Sequence, residues 1–118
     1  MSKLNQDFDI WQGEDAVLTV PVTDSAGSPK TLTGSTITWK AWASIVNTTA
    51  SITKTTADDI ALVDAEGTDD AIQITLPKAA TSGLTPGKYY HECRVVDANT
   101  KAQVVFEGTM TLHRSKTL

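Results

Sequence analysis

Alternation of apolar and polar residues with a period of two recurs along most of this 118-residue chain. Threonine fills many of the polar positions, as in Thr36-Ile-Thr-Trp39 and Thr109-Met-Thr-Leu112. A β-branched residue with a hydroxyl suits the solvent face of a strand and is mediocre in a helix. Because turn-forming residues separate these segments at short intervals, the pattern predicts an all-β sandwich or barrel.

The C-terminal third contains the clearest segment, in which a turn is followed by two strands that close an antiparallel sheet. We expect these strands at residues 89–96 and 103–112, joined by a tight turn at residues 97–101. Gly108 lies in the second strand, at a position where a side chain would collide or a bulge is needed. The core face of that strand is expected to consist of Val104, Phe106, Met110 and Leu112.

The rest of the chain adds further short strands. They are expected at residues 7–11, 16–23, 35–46, 51–56, 60–63 and 71–76. Pro21 occupies an outward position and lacks an N–H group, which indicates a sheet edge or a bulge. Residues 77–84 are expected to form one short helical turn, because Pro77 can begin it and Gly83 can end it. The interpretation is an antiparallel immunoglobulin-like β-sandwich of about seven to eight strands.

The chain is long enough to form one domain with its own core. We therefore treat residues 1–118 as a single β-sandwich domain, in which residues 1–6 and 114–118 are expected to be flexible tails.

The longest alternation, residues 35–46, separates two tryptophans onto opposite faces. One face is expected to bury Ile37, Trp39, Ala41, Ala43 and Ile45, and the other to expose Thr36, Thr38, Lys40, Trp42 and Ser44. An outward Trp on a polar face is typical of interface anchors, whereas a bulge or a covering loop would be the structural alternative. The candidate interface residues are Trp42, Lys40, Thr38 and Tyr90. Trp11 is expected to fill the core at the end of its strand.

His91 and Cys93 are the residues closest to a catalytic or metal-binding pattern. They lie two apart on one strand and therefore share a face, and His113 could in principle join them around a metal. The remaining zinc ligands are missing, and side chains two apart on one strand rarely make the contact that a nucleophilic Cys–His pair requires. A buried thiol beside a hydrogen-bonded histidine is the favoured interpretation.

The acidic run at residues 64–70 offers oxygen ligands but lacks the spacing of a calcium-binding loop, so it is read as a solvated hairpin turn. The sequence contains no Gly-rich phosphate loop and no Gly-x-Ser-x-Gly motif. We therefore expect no catalytic residues, no bound metal and no cofactor, and hence a protein that is not an enzyme.

Charge and composition narrow the class of partner. The formal net charge is −4 and the basic residues are scattered, which argues against nucleic-acid binding. No stretch has the apolar length of a membrane span or of a signal peptide, so the chain is expected to be made in a cytoplasm and not to act at a membrane. A single cysteine, Cys93, excludes an intramolecular disulfide.

The order of motifs resembles that of a known group of proteins. A strand ending in Trp11-Gln-Gly-Glu14 precedes Leu32-Thr-Gly34, which is followed by Leu84-Thr-Pro-Gly-Lys-Tyr89 and a final strand with Phe106-Glu-Gly108. Over residues 7–114 this is similar to small immunoglobulin-like β-sandwich proteins of tailed bacteriophages, including the N-terminal domain of baseplate upper proteins and related tail and neck components. The resemblance implies a structural protein of the virion without catalytic residues.

We therefore expect a virion subunit, made in the bacterial host cytoplasm, that docks on other virion proteins as a tail, neck or baseplate adaptor or as a head decoration protein. A homo-oligomer or ring in the assembled particle is expected, because symmetric assembly is the default for such subunits. The alternative is a free-standing immunoglobulin-like module that recognises a carbohydrate or a peptide, with Tyr89, Tyr90 and Trp42 as stacking residues.

Overall fold

The computed structural model describes residues 4–24, 26–44 and 49–117, which form strands connected by turns and one 3-10 turn. In chain order, the strands are β1 Leu4–Asn5, β2 Phe8–Trp11, β3 Ala16–Pro21, β4 Thr36–Trp42, β5 Ile52–Thr55, β6 Ile60–Val63, β7 Ala71–Leu76, β8 Gly87–Val96 and β9 Ala102–His113. The 3-10 turn covers Lys78–Ala80, with Pro77 before it, and so confirms a helical turn in this region.

The strands form two sheets around one hydrophobic core. The larger sheet has the order β2–β9–β8–β4–β5, with β1 also on β9, and the smaller sheet has the order β3–β7–β6. β1 and β2 pair parallel with β9 in one register, so they act as a single interrupted strand and bring the strand number to eight. All other pairs between these strands are antiparallel. This order is that of an immunoglobulin-like sandwich, which confirms the predicted fold class.

Gly108 allows the N-terminal strand to cross close to β9. A Cβ atom at this position would collide with the backbone carbonyl group of Gln6. The same crossing is held by the Gln6 N–H, which donates to the β9 backbone at 2.7 Å, and by the Thr109 N–H, which donates to Asp7 Oδ1 at 2.8 Å. Of the two explanations considered for Gly108, the collision is the correct one. Residues 4–6, expected to be flexible, are instead part of the sheet.

A bulge in β9 corrects the predicted core face of that strand. Cys93 lies opposite Phe106 whereas Arg94 lies opposite Val104, so Val105 is an extra residue between them. Val105 is fully buried, and Val104 is only half-buried. Val104 is therefore not the core residue that strict alternation predicted. A bulge inserts one residue and so reverses which side chains face inward beyond it.

The core draws on both sheets, as expected. Trp39 and Phe106 are the largest fully buried side chains from the larger sheet, and Val20, Ile72 and Ile74 face them from the smaller one. Leu18 packs against this core but remains half-buried, because β3 is an edge strand. Of the edge or bulge that Pro21 indicated, the structure shows the edge.

A tyrosine corner fixes the start of β8. The Tyr89 hydroxyl donates to the carbonyl oxygen of Thr85 at 2.7 Å, and the ring is buried. In antibody domains the corner tyrosine stands two residues before a cysteine of the inter-sheet disulfide, which packs on a buried Trp from the neighbouring strand. Here the residue two positions later is His91, and the Trp that it contacts is Trp39. This hydrogen bond joins neighbouring strands within the larger sheet, whereas the disulfide of antibody domains joins the two sheets.

The predicted end of β4 is corrected, and parts of the predicted tails lie outside the described residues. β4 ends at Trp42 rather than at residue 46, and Ala43 is exposed instead of joining the core face. Ile45 and Val46, together with residues 1–3 and 118 of the predicted tails, lie outside the described residues. Within the predicted C-terminal tail, residues 114–118, the Ser115 N–H donates to Gln12 Oε1 at 3.2 Å.

Candidate functional site

Six side chains of β4 and β8 project from the outer surface of the larger sheet, and we call this patch the β4–β8 face. Its members form three cross-strand pairs: Thr38 with Arg94, Lys40 with Glu92, and Trp42 with Tyr90. The faces alternate because successive side chains of a strand point to opposite sides. The inward neighbours Trp39, His91 and Cys93 are completely buried, so the six residues are directed away from the core.

All four interface candidates from the sequence meet on this face. Thr38, Lys40 and Trp42 come from β4, and Tyr90 joins them from the adjacent strand. Glu92 and Arg94 were not among the candidates. Alternation along β8 could have identified both, because His91 and Cys93 were expected to share the opposite side.

Trp42 and Tyr90 form an aromatic pair at one end of the face. Their ring centroids are 5.8 Å apart with an interplanar angle of 30°. Pairing between β4 and β8 continues without a break through residue 42, so no bulge turns Trp42 into the core. Cover by the following loop would involve residues 45–48, which lie outside the described residues. The Trp42 side chain is half-buried, and its ring rests on Tyr90.

The Tyr90 hydroxyl lies between two carboxylates. Its oxygen is 2.8 Å from Glu107 Oε2 and 3.1 Å from Glu92 Oε2, and these glutamates stand opposite each other on β8 and β9. Burial, together with hydrogen bonds to the two carboxylates, raises the pKa of Tyr90 above its ordinary value. The hydroxyl therefore stays protonated at neutral pH and holds the aromatic ring in place.

A depression of about 260 Å³ opens beside the aromatic pair. It is lined by Thr38, Lys40, Trp42, Glu92 and Arg94. Lys40 and Arg94 supply positive charges, and Trp42 supplies an apolar wall. A carboxylate held near the two cations, with its apolar stem on the indole, would match these groups.

Beneath the face, His91 and Cys93 have a structural role. His91 Nδ1 accepts a hydrogen bond from Trp39 Nε1–H at 3.1 Å, so its proton lies on Nε2, which contacts the Gln6 carbonyl oxygen at 2.5 Å. Burial lowers the pKa of His91. Burial also raises the pKa of Cys93 to about 12, which keeps the thiol protonated. The expected buried thiol beside a hydrogen-bonded histidine is confirmed.

The acidic turn is organised from within by one carboxylate. Asp70 is 2% exposed, and its side chain accepts N–H groups from Ala65 at 2.7 Å, Glu66 at 3.0 Å and Gly67 at 3.1 Å. The Ala65 bond, with those from Glu66 and Gly67, lowers the pKa of Asp70 against the opposing effect of burial. The turn is thus less solvated at this residue than expected. Among residues 4–24, 26–44 and 49–117, no cluster of His, Cys, Asp and Glu could hold a metal ion.

Trp11 does not fill the core. It is 48% exposed and stacks on His113, with ring centroids 4.5 Å apart. Ile10 is the β2 side chain that is fully buried near this end. The prediction was wrong because a position beside a turn does not determine which side of the sheet a side chain faces. Here alternation places Ile10 inward and Trp11 outward.

A second depression, of about 330 Å³, lies on the β2–β9 side of the same sheet. It is lined by Asp7, Phe8, Asp9, Lys88, Thr109 and Thr111. Asp7 already accepts a backbone N–H here and so serves the sheet. The β4–β8 face, with its aromatic pair and its cations, therefore remains the stronger candidate site.

Comparisons with known proteins identify no family. No protein-family model matches the chain, and no curated protein sequence does. Among solved structures, murine CRIg is 12% identical with a TM-score of 0.37, and the match covers 98% of this chain and 94% of that one.

Two matches are parts of larger enzymes. A 2,6-sialyltransferase from Photobacterium sp. JT-ISH-224 is 12% identical with a TM-score of 0.42, and the match covers 97% of this chain and 18% of the enzyme. A family 123 glycoside hydrolase from Clostridium perfringens is 13% identical with a TM-score of 0.37, and the match covers 94% of this chain and 23% of the enzyme.

In the described part of the chain, no helix is long and apolar enough to span a membrane.

Proposed function

We propose that this protein is a non-catalytic docking subunit that binds another protein through the β4–β8 face. The observation that carries the proposal is the Trp42–Tyr90 pair, which places two partly exposed, stacked aromatic rings among charged side chains on the outside of the larger sheet. Aromatic residues flanked by arginine are enriched where proteins bind one another tightly. The sheet holds these residues in place, so little conformational entropy is lost on binding.

The chemistry of the face defines what the partner presents. Lys40 and Arg94 favour a carboxylate, and the wall formed by Trp42 favours an apolar group next to it. Glu92 lies opposite Lys40 and disfavours a second acidic group close by. The matching partner segment therefore carries an acidic side chain beside an apolar one.

The assembly that we propose is the virion of a tailed bacteriophage. This part of the proposal rests on the sequence resemblance over residues 7–114, and an immunoglobulin-like sandwich is consistent with it. The subunit would act as a tail, neck or baseplate adaptor or as a head decoration protein. Mass spectrometry of purified particles tests the location, and expression in infected cells without incorporation into particles would contradict it.

Trp42→Ala tests the face itself. The substitution removes the aromatic wall from the outside of the sheet, so binding should weaken by about tenfold or more while the fold persists. Trp11→Ala is the matched control, because it also removes a Trp side chain from the surface but away from the β4–β8 face. Co-assembly with the other particle proteins provides the measurement. Equal incorporation of the two variants would contradict docking through the β4–β8 face.

The aromatic pair also favours one alternative, an immunoglobulin-like binding module that recognises a carbohydrate or a peptide. A sugar ring could stack on Trp42 while its hydroxyl groups bind Glu92 and Arg94. This alternative predicts specific binding of a glycan or a peptide by the isolated domain, whereas a docking subunit needs its protein partner. Binding to a glycan array, abolished by Trp42→Ala, would favour the module.

A further inference from the structure

The free edge of β3 carries unpaired backbone groups. Two hydrogen bonds show which residues of β3 bond to β7. Thr75 N–H donates to the Asp59 carbonyl oxygen at 2.9 Å, next to β6, so Thr75 does not bond to β3. Val22 N–H, just after β3, donates to the Asp70 carbonyl oxygen at 2.8 Å. Hydrogen-bonded and non-hydrogen-bonded pairs alternate along an antiparallel ladder, so the even-numbered residues of β3 bond to β7. The N–H and C=O groups of Val17 and Thr19, and the C=O group of Pro21, therefore point away from the sheet.

This edge lacks most of the features that keep sheet edges apart. Val17 is 61% exposed, Thr19 is exposed, and each of the strand's six positions bears an uncharged side chain. Natural edge strands are usually protected by lysine, by inward charges, by bulges or by proline. Here one proline protects one end of the strand. Among the described residues, no other strand pairs with this edge.

We propose that two copies of this chain associate antiparallel along β3, with the two-fold axis at Leu18, and form a continuous six-stranded sheet. Val17 of each copy then lies opposite Thr19 of the other. Both residues point their backbone groups outward, so the two reciprocal pairs form four hydrogen bonds between the chains. A two-fold axis at Thr19 would also give four bonds, because Val17 would lie opposite Pro21, whose missing N–H leaves one bond on each side. The axis at Leu18 is preferred because it also brings the two half-buried Leu18 side chains together.

A second copy suits this edge for two reasons. The outer surface of the smaller sheet bears valine, threonine, proline, alanine and glutamine at its strand positions, so two chains with net charge −4 can approach there without facing like charges. Leu18 is half-buried in the single chain and would become covered at the two-fold axis. The association uses the other sheet from the β4–β8 face, so it is independent of the proposed function.

Thr19→Pro is the discriminating variant. Its N–H points to the free edge and bonds to nothing on β7, so the fold should tolerate proline there as it tolerates Pro21. We expect the mass of the natural protein in sedimentation equilibrium to double with concentration. In Thr19→Pro, which removes two bonds between the chains, the Kd of the dimer should rise about tenfold or more. A natural chain that stays single up to about 1 mM, or an unchanged Kd in Thr19→Pro, would overturn the proposal.

Two further measurements keep the test independent of folding defects. Val17→Lys places a charge at the edge and should prevent the dimer, whereas Thr75→Lys adds the same charge to the central strand of the sheet and should leave the dimer intact. Hydrogen exchange at the amides of Val17 and Thr19 should slow as concentration rises, while exchange at Leu18, already bonded to β7, stays unchanged. Concentration-independent exchange at Val17 and Thr19 would reject this edge.

Discussion

At the scale of a single residue, Trp39 is the largest fully buried side chain in the core between the two sheets. Its ring is fully buried between them, and its Nε1–H donates to His91 Nδ1 at 3.1 Å. That one bond satisfies two buried polar groups at once and fixes the tautomer of the histidine. The neighbouring tryptophan on the strand, Trp42, lies on the opposite face and contributes little to the core. Stability and the proposed binding therefore depend on different tryptophans.

Replacing Trp39 should be far more costly than replacing Trp42. Trp39→Ala leaves a cavity and should lower the free energy of unfolding by about 3–5 kcal/mol. Trp39→Phe keeps an aromatic ring but leaves His91 Nδ1 without a donor, which should cost about 1–3 kcal/mol. Trp42→Ala should leave the unfolding midpoint nearly unchanged in a denaturant melt. A greater loss of stability in Trp42→Ala than in Trp39→Ala would reverse the assignment of faces on β4.

His91 should make the protein sensitive to acid. Burial lowers its pKa in the folded state below the ordinary value of 6.5. The contribution to stability is therefore complete above about pH 6.5 and is lost as the pH falls, because the unfolded chain takes up a proton that the folded one resists. The loss should approach about 1.4 kcal/mol per pH unit between the two pKa values.

Denaturant melts between about pH 8 and pH 5 measure this effect around the ordinary titration range of histidine. His91→Gln should flatten the dependence on pH, because it removes the buried group whose pKa is lowered. The same slope in the His91→Gln variant would show that other groups cause the acid sensitivity.

At the scale of the element, the crossing of the N-terminal strand over Gly108 is the most sensitive joint. Gly108→Ala places a methyl group against the backbone of Gln6, which cannot move away as a flexible side chain would. We expect a loss of about 1–3 kcal/mol and faster hydrogen exchange in β1 and β2. Gly83→Ala is the control, since a Cβ there meets nothing within 4 Å. Equal stability of both variants would mean that the crossing is not tight in solution.

At the scale of the whole molecule, the two sheets offer different outer surfaces to solvent. The larger sheet presents aromatic and charged groups on the β4–β8 face, and the smaller sheet presents uncharged groups and the free edge of β3. A subunit built in this way could contact a partner through one sheet and its own copy through the other. Such a division would allow the two associations to occur together.

Cys93 reports on global unfolding because it is sealed in the core that both sheets share. Its side chain is fully buried, and burial raises its pKa to about 12. We expect a thiol reagent to label the native protein only at the rate of global opening and to label it at once in denaturant. Val17→Cys adds an exposed thiol and should show one fast and one slow reaction. Rapid and complete labelling of the natural protein would contradict a closed core.

The sequence by itself determined the class of fold, most strands and the outward direction of the proposed binding residues. These features follow from local alternation, which puts Trp39 inward and Trp42 outward on β4 and puts Ile72 and Ile74 inward on β7. Turn chemistry at Pro77 and the missing N–H of Pro21 likewise act through neighbouring residues alone.

Only the tertiary structure decided where that alternation fails and which distant segments meet. The bulge at Val105 depends on the pairing of β9 with β8, and the parallel N-terminal strand depends on space above Gly108 that residues about a hundred positions earlier occupy. The exposure of Trp11 and the bond between Trp39 and His91 are likewise decided by which chain segments pack together. Contacts between distant residues leave no periodic signal in a sequence, and so they had to be seen in the folded chain.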